Sequence, residues 1–403
     1  MKILIHNYEY PPLGGGAGNA TEYLLREFAA FPDMEVVLVT SSIDDTHRVE
    51  YPAPNIRIER LPIGKKSGEK NLHFQSKGNL LAYAWKSWMF SRKLLKREQF
   101  DCIHAFFSVP SGFVARLLFS EFHLPYIVSL RGSDVPGYSE RFKYLYAPLR
   151  PITRCIWKSA AKVVANSEGL RTLALLTDSS RDISIIRNGV DTKEFFPVPR
   201  DYSDDPSKPF HTLAIARLTP RKGIRALLEA IEILKTEEKK PFLLDIAGDG
   251  DERESLEVFA RDHNLSDRVR FVGRVPHADI VPLYHRAHTY VLPSLNEGMS
   301  NNVLEALASG LPIVTTDTGG TRELVEDGKN GCIIRMRDAK HIAEKLVFLA
   351  SHPKEAEEYG KESRRRAERL GWGEVAKEYR KEYQEARLLC HSREGGNPVP
   401  TGR

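Results

Sequence analysis

The chain reads as an α/β protein of two tandem domains, each a doubly wound sheet of mainly parallel strands. Three observations predict this. At 403 residues and 41% hydrophobic content, it is too long for one ordinary core and suits two. Short apolar runs alternate with helical stretches in both halves, the order that builds parallel sheets. Between the halves, RDYSDDPSKPF at 200–210 is polar, charged and punctuated by proline, as a linker is.

In the first half, Lys2–Ile5 reads as strand, Pro11–Gly18 as a glycine-rich loop, Thr21–Ala30 as helix and Val36–Thr40 as strand. Four later strands follow, at Asp101–Phe107, Tyr126–Leu130, Lys162–Ala165 and Ile183–Arg187. Each runs into polar residues: Ser108, RGSD at 131–134, Asn166-Ser167 and NGVD at 188–191. Such ends line the crevice of an open sheet. The glycine loop lacks the G-x-G-x-x-G spacing, and no acidic residue follows the second strand where a ribose would need one. A dinucleotide site is disfavoured, and a plain tight turn is the simple alternative.

The second half repeats the pattern. Strands are expected at Thr212–Ala216, Phe242–Ala247, Arg270–Val272, Tyr290–Leu292, Ile313–Thr316 and Cys332–Ile334. Helices are expected at Ile224–Leu234, Glu252–His263 and near Ala278–Arg286, with a charged helical region after Ala339. The predicted domains are 1–199, a linker at 200–210, and 211–372, with a helix at 373–390 and a disordered polar tail at 391–403.

Charged residues are 28% of the chain and the formal net charge is +5, so overall disorder is disfavoured. Cys102, Cys155, Cys332 and Cys390 are far apart without C-x-x-C spacing, which argues against a metal knuckle and for a reducing cytosol. The start MKILIHNYEYPP does not read as a signal peptide. No apolar run reaches the ~18 residues that span a bilayer. A cytoplasmic protein is expected. Residues 60–100 carry ten basic residues against Glu69 and Glu98, interleaved with Trp85, Trp88, Met89 and Phe90. This reads either as a surface helix meeting anionic lipid or an anionic acceptor, or as an amphipathic domain helix with a solvated basic face. No RNA-binding motif is present, so nucleic acid is the least favoured partner.

Chemistry concentrates in two stretches. In ARLTPRKGI, Arg217 closes a strand and Lys222 precedes Gly223 at a helix start. Arg and Lys in one loop at a strand end suit a diphosphate, neutralising two charges without metal. Solvated surface residues are the alternative. In YVLPSLNEGMSNNVLEALASGLPIVTTDTGG, Ser300, Asn301 and Asn302 offer N-cap chemistry to a short helix. Glu297 lies in the loop, and Glu305 shares a helix face with Asn301. Polar groups thus gather at a positive helix end beyond a strand, where such sheets bind anions. Asp249 and Asp251 form an Asp-x-Asp that in other settings holds a divalent cation; between a strand and a helix, a turn and cap role is favoured.

The chain resembles the retaining glycosyltransferases of family 4, which have the GT-B fold of two Rossmann-like domains facing each other across a cleft. The resemblance rests on Gly14–Gly16, RGSD at 131–134, NGVD at 188–191, ARLTPRKG at 216–223, AGDGDER at 247–253, FVGRV at 271–275 and EGMSNNVLEALASGLPIVTTDTGG at 297–320, in order over about residues 1–385. It implies a hexosyl-type transferase using a UDP-, GDP- or ADP-sugar, with no other cofactor and no metal. Glu305 would bind the ribose. Arg217 and Lys222 would hold the pyrophosphate, with amides near Asn301, Asn302 and Val303. Glu297 and Gly298, Met299 and Ser300 would meet the sugar, and Arg274 and Val275 would frame the base. The loop with Gly15 and Gly16 would approach the diphosphate and acceptor. The helix at 373–390 would cross back to the first domain.

Many relatives place His where this chain has Arg131. Arginine stays protonated and cannot act as a base. It would clamp a hydroxyl or an anionic group, with Asp134 as partner, or simply form a turn contact with Asp134. The expected acceptor is a glycan or lipid-linked hydroxyl in cell-envelope or polysaccharide synthesis, placing the enzyme in the cytoplasm or peripherally on the membrane. Two alternatives stand beside transfer: an epimerase or hydrolase of nucleotide sugars, and a basic membrane-binding protein without transfer activity.

Overall fold

The computed structural model describes residues 1–64, 76–138, 143–203, 205–237 and 240–394. It divides into two units, one of Met1–Asn188 with Trp372–Arg403 and one of Gly189–Gly371.

The first unit contains β1 (Lys2–His6), α1 (Gly16–Ala29), β2 (Glu35–Ser41), β3 (Arg48–Ala53), β4 (Ile56–Leu61), α2 (Lys77–Leu95), β5 (Cys102–Phe106), α3 (Phe113–Phe122), β6 (Tyr126–Ser129), α4 (Lys143–Ser159), β7 (Lys162–Ala165), α5 (Glu168–Leu175) and β8 (Ser184–Ile185). The sheet order is β3-β4-β2-β1-β5-β6-β7-β8. All neighbours are parallel except β3 and β4, an antiparallel edge pair. The central strands are almost wholly buried, as a sheet covered on both faces requires.

The second unit contains β9 (Phe210–Ile215), α6 (Ile224–Glu237), β10 (Phe242–Ala247), α7 (Arg253–Asp262), β11 (Val269–Gly273), α8 (Val281–Arg286), β12 (Thr289–Leu292), α9 (Asn301–Ala308), β13 (Ile313–Thr316), α10 (Thr321–Leu324), β14 (Gly331–Ile334), α11 (Ala339–Ser351) and α12 (Pro353–Ala367). Its sheet, β11-β10-β9-β12-β13-β14, is entirely parallel. The connections run outward in opposite directions from β9 and β12, so the loops after these two strands diverge around a crevice. On α9, Leu304, Leu307 and Ala308 are fully buried in this unit's core.

The structure departs from the sequence reading in four places. The units part at Asn188/Gly189, not at 200–210, because 189–200 is built into the second unit. There Phe195 is 1% exposed, and the Arg200 guanidinium donates to the carbonyls of Ala287, Ser309 and Tyr284 at 2.8, 2.8 and 3.2 Å. Helix α1 begins at Gly16 rather than Thr21, absorbing the end of the glycine loop. The β3–β4 hairpin was not anticipated. Finally, α13 (Trp372–Glu394) runs on through 391–394, where a disordered tail was expected; residues 395–403 lie outside the described residues. Helix α13 belongs to the first unit, its Tyr379 and Tyr383 buried in that unit's core.

Candidate functional site

In the second unit, three loops at the carboxyl ends of β9, β10 and β12 are locked together by their backbones. The Leu295 N–H donates to Arg221 O at 2.8 Å. Gly223 has φ +67° and lies so close to the β12–α9 loop that a Cβ would stand 2.1 Å from Pro293 O. Only glycine meets both demands. The turn after β10 grips the same segment: Leu218 N–H donates to Asp249 O at 2.9 Å, and Glu252 N–H to Leu218 O at 3.0 Å. Gly248, at φ +136°, faces Ala216 O, which a Cβ would approach to 1.9 Å. Asp249 accepts from Gly250 N–H at 2.9 Å, the work of a turn residue.

This framework presents two different cations. Lys222 is ion-paired with Glu297, and each side chain is 12% exposed. Burial pushes the Lys222 ammonium below its usual range, against the raising effect of the Glu297 carboxylate. Burial would raise Glu297, but the charges of Lys222 and Arg221 prevail and hold it below the ordinary carboxylate range. Arg217 is exposed; its carbonyl accepts from Thr219 N–H at 2.9 Å, but its guanidinium makes no ion pair or hydrogen bond among the described residues. Its charge is available to a ligand, whereas that of Lys222 is partly neutralised.

Helix α9 starts beside this loop. Ser300 occupies the N-cap position, but its side chain makes no capping bond, contrary to expectation. The Asn302 side chain turns to the sheet instead. Its Nδ2 donates to Ile215 O at 2.6 Å, where the Tyr290 hydroxyl also donates at 2.9 Å. The helix start is thereby pinned two residues from Arg217. Gly298 and Met299 are buried, and Glu297, Gly298, Ser300, Val303 and Thr321 line a small recess.

Glu305 is 5% exposed and already engaged. Tyr284 Oη donates to its Oε2 at 2.7 Å, and His277 Nε2 lies 3.1 Å from its Oε1. His277 Nδ1 in turn faces Glu194 at 3.7 Å, and Phe195 packs its edge against both His277 and Tyr284. None of Glu194, Phe195, His277 and Tyr284 was anticipated as part of the site. They come from three separate stretches and carry no local motif. Arg274 is exposed and Val275 partly buried, just before His277 in the chain.

The remaining anticipated residues, Gly15, Gly16, Arg131 and Asp134, lie in the first unit. The Glu9 carboxylate accepts from Gly15 N–H at 3.3 Å at the start of α1. Arg131 stands at the carboxyl end of β6 over the Phe106 ring, 4.5 Å from its centroid. Its guanidinium donates to Asn188 Oδ1 at 2.8 Å and Tyr379 Oη at 3.2 Å. Asp134 does not pair with that guanidinium. It accepts from the backbone N–H groups of Arg131 and Ser108, at 2.9 and 2.7 Å, and from the Ser108 hydroxyl at 3.1 Å. The turn contact is therefore real, and the guanidinium points elsewhere. Beneath it, His104 is fully buried between Tyr383 and Ser129, each 2.7 Å away, and Ser129 meets Tyr379 at 3.0 Å. Burial, with help from Arg131, drives the His104 pKa well down, so it stays neutral.

Two protein families match the chain. Glycosyltransferase Family 4 matches residues 14–194, and Glycosyl transferases group 1 matches residues 200–366. An uncharacterized glycosyltransferase of Methanocaldococcus jannaschii is 24% identical over 96% of this chain and 98% of its own length. The lipopolysaccharide core biosynthesis glycosyltransferase LpsE of Rhizobium meliloti is 29% identical over 55% of this chain and 63% of its own. Among solved structures, sucrose-phosphate synthase of Thermosynechococcus elongatus superposes with a TM-score of 0.82 at 22% identity, covering 96% of this chain and all of that one. Anabaena HepE in complex with UDP and glucose gives 0.72 at 19% identity over 94% and 98%. Two consecutive family matches, full-length relatives and a shared two-sheet architecture agree: the chain is a glycosyltransferase of family 4 with the GT-B fold.

Proposed function

We propose that this glycosyltransferase moves a hexose from a nucleoside-diphosphate sugar to an acceptor hydroxyl, with retained anomeric configuration and without a metal. The observation that carries the donor assignment is the locked loop pair in the second unit, which leaves Arg217 exposed and unpaired beside the start of α9. A guanidinium and a helix N-terminus at one strand end form a diphosphate site. They also supply the charge that a metal would otherwise bring.

Donor binding rearranges one contact in this reading. The diphosphate takes up the Lys222 ammonium, which releases Glu297 to hydrogen-bond sugar hydroxyls. Glu305, held rigid by Tyr284 and His277, keeps lone pairs for the ribose, and the surface at Arg274 and Val275 frames the base. As the bond from the anomeric carbon to the phosphate oxygen breaks, Arg217, Lys222 and the α9 amides stabilise the charge on the departing diphosphate. The acceptor oxygen bonds to the anomeric carbon from the same face and gives its proton to the leaving phosphate oxygen. In the first unit, the glycine loop at Gly15 and Gly16 and the Arg131 guanidinium serve the acceptor and sugar.

A relative named for lipopolysaccharide core biosynthesis and a neighbour bound to UDP and glucose favour a uridine-diphosphate donor and a cell-envelope glycan acceptor. The test is a screen of UDP-, GDP- and ADP-hexoses against glycan and lipid-linked acceptors with EDTA present, reading the product anomer by proton NMR. Transfer with retention is expected. Inverted product, an absolute requirement for divalent cation, or acceptor-independent epimer or free sugar as the main product would contradict the proposal.

A further inference from the structure

A parallel sheet is ordinarily buried on both faces. The second unit breaks that rule at one edge. On β10, Phe242, Leu244 and Ile246 are buried on one face, but Leu243 and Asp245, which alternate with them, are only partly buried. Strand register sets His211 of β9 beside Leu243, and Arg270 of β11 beside Asp245, so these four share the uncovered face. Helix α8, six residues long, packs against β9. Beside it a cleft of about 240 Å³ remains, lined by Arg268, Arg270 and Arg286, by Asp245 and Asp267, and by Leu243.

The charges of the cleft do not balance. Asp245 accepts two hydrogen bonds from the Arg270 guanidinium, at 2.8 and 2.6 Å. Arg286 stands 3.7 Å from the same carboxylate, too far for a hydrogen bond. Asp267 is shared by Arg268 at 3.2 Å and Lys235 at 2.6 Å. Four cations thus face two carboxylates. Exposed pairs of this kind add little to stability, so folding does not account for the surplus. The Arg286 side chain is 47% exposed, and its guanidinium makes no hydrogen bond among the described residues. Its N–H fork is open to a ligand.

We propose that this cleft binds a small organic phosphate, a phosphomonoester whose dianion spans Arg270 and Arg286. The dianion cancels the two surplus charges, and guanidinium forks match phosphate oxygens two at a time. The volume lies below the ~300–1,000 Å³ of pockets that enclose drug-sized ligands, which sets the size at a short-chain or single-ring phosphate. Leu243 gives the carbon skeleton an apolar contact. His211, Leu243 and Arg270 are each the second residue of their strands, so the cleft lies at the amino ends of β9, β10 and β11. The donor loops follow the carboxyl ends of β9, β10 and β12. The ligand is therefore not the sugar donor, and its site does not rest on the donor assignment.

The test is isothermal titration calorimetry of the full chain with glycerol 3-phosphate and ribose 5-phosphate, beside ribose and malonate as controls. Wild type should bind at least one of the two phosphates at a single site with a Kd of about 1 mM or below. Ribose should not bind, and malonate should bind at least about tenfold more weakly. Arg217→Ala, in the donor loops, should bind the phosphate like wild type. Arg286→Ala should weaken binding about tenfold, the scale of one hydrogen bond to a charged group, and Arg286→Lys by less. Arg270→Glu/Arg286→Glu should abolish binding, with the melting temperature retained. Three results would overturn the proposal: neither phosphate bound by wild type at about 10 mM, binding undiminished in the cleft variants, or binding lost in Arg217→Ala. Malonate bound as tightly as the phosphates would overturn the phosphomonoester assignment.

Discussion

The two units offer contrasting strand-end clusters. In the second unit, the cluster is ionic and partly open: a Lys222–Glu297 pair, an exposed Arg217 and a caged Glu305. In the first, it is neutral and closed except for one cation: His104, Ser129, Tyr379 and Tyr383 linked in a buried chain beneath Arg131. The difference teaches where recognition and stability are separated. Charged groups in the second unit are held by backbone locks and remain free to exchange partners. The first unit uses its polar groups to fasten α13 onto β5 and β6, through hydrogen bonds that nothing in solution replaces once they are buried.

The comparison can be broken by variants that should affect one cluster and spare the other. The largest effect is expected for Arg217→Ala and Lys222→Met, which remove charge from the departing diphosphate. Transfer should fall by at least ~100-fold, the scale of losing one preorganised electrostatic contact, while circular dichroism is unchanged. Next comes Gly223→Ala. A methyl group 2.1 Å from Pro293 O cannot be accommodated, so the loop pair must open. We expect a loss of roughly 3 kcal/mol in stability, read by urea denaturation, together with weaker nucleotide binding.

Tyr383→Phe probes the other cluster. It leaves a buried nitrogen of His104 without its 2.7 Å partner. About 1–3 kcal/mol of first-unit stability should be lost, with nucleotide affinity unchanged; a parallel loss of nucleotide binding would show that the clusters are not separable. The smallest effect concerns pH. Burial lowers Lys222 and the Glu297 charge opposes that lowering. In Glu297→Gln the opposition is gone, so the ammonium loses its proton at lower pH than in wild type. The alkaline limb of nucleotide binding should shift toward acid, measurable by calorimetry across the alkaline range. A shift toward alkali would contradict the pairing.

Much of the second unit was legible because its chemistry is local. ARLTPRKG carries its cations and the glycine that brings them against the next loop within eight residues, and EGMSNNVLEALASG carries both carboxylates and the helix that places them. What was not legible is long-range. His277 and Tyr284 reach Glu305 across 28 and 21 residues, and Tyr383 reaches His104 across 279. A period or a spacing holds no record of such partners. The β3–β4 hairpin was also not read; Pro52 lies in β3, the sheet edge, where a missing N–H costs little. Local chemistry misled once. Ser300 and Asn302 promised caps, but the Asn302 side chain is recruited by the end of β9.

The central claim is that the second unit's loops after β9 and β12 form the diphosphate site. It is tested most directly by thermal unfolding with UDP, GDP and ADP in EDTA, comparing wild type with Arg217→Ala and Glu305→Ala. At 100 times its dissociation constant, the cognate nucleotide should stabilise wild type by ~2.7 kcal/mol, and both variants should lose most of that shift. Stabilisation that persists undiminished in both variants, or that none of the three nucleotides produces in wild type, would contradict the account.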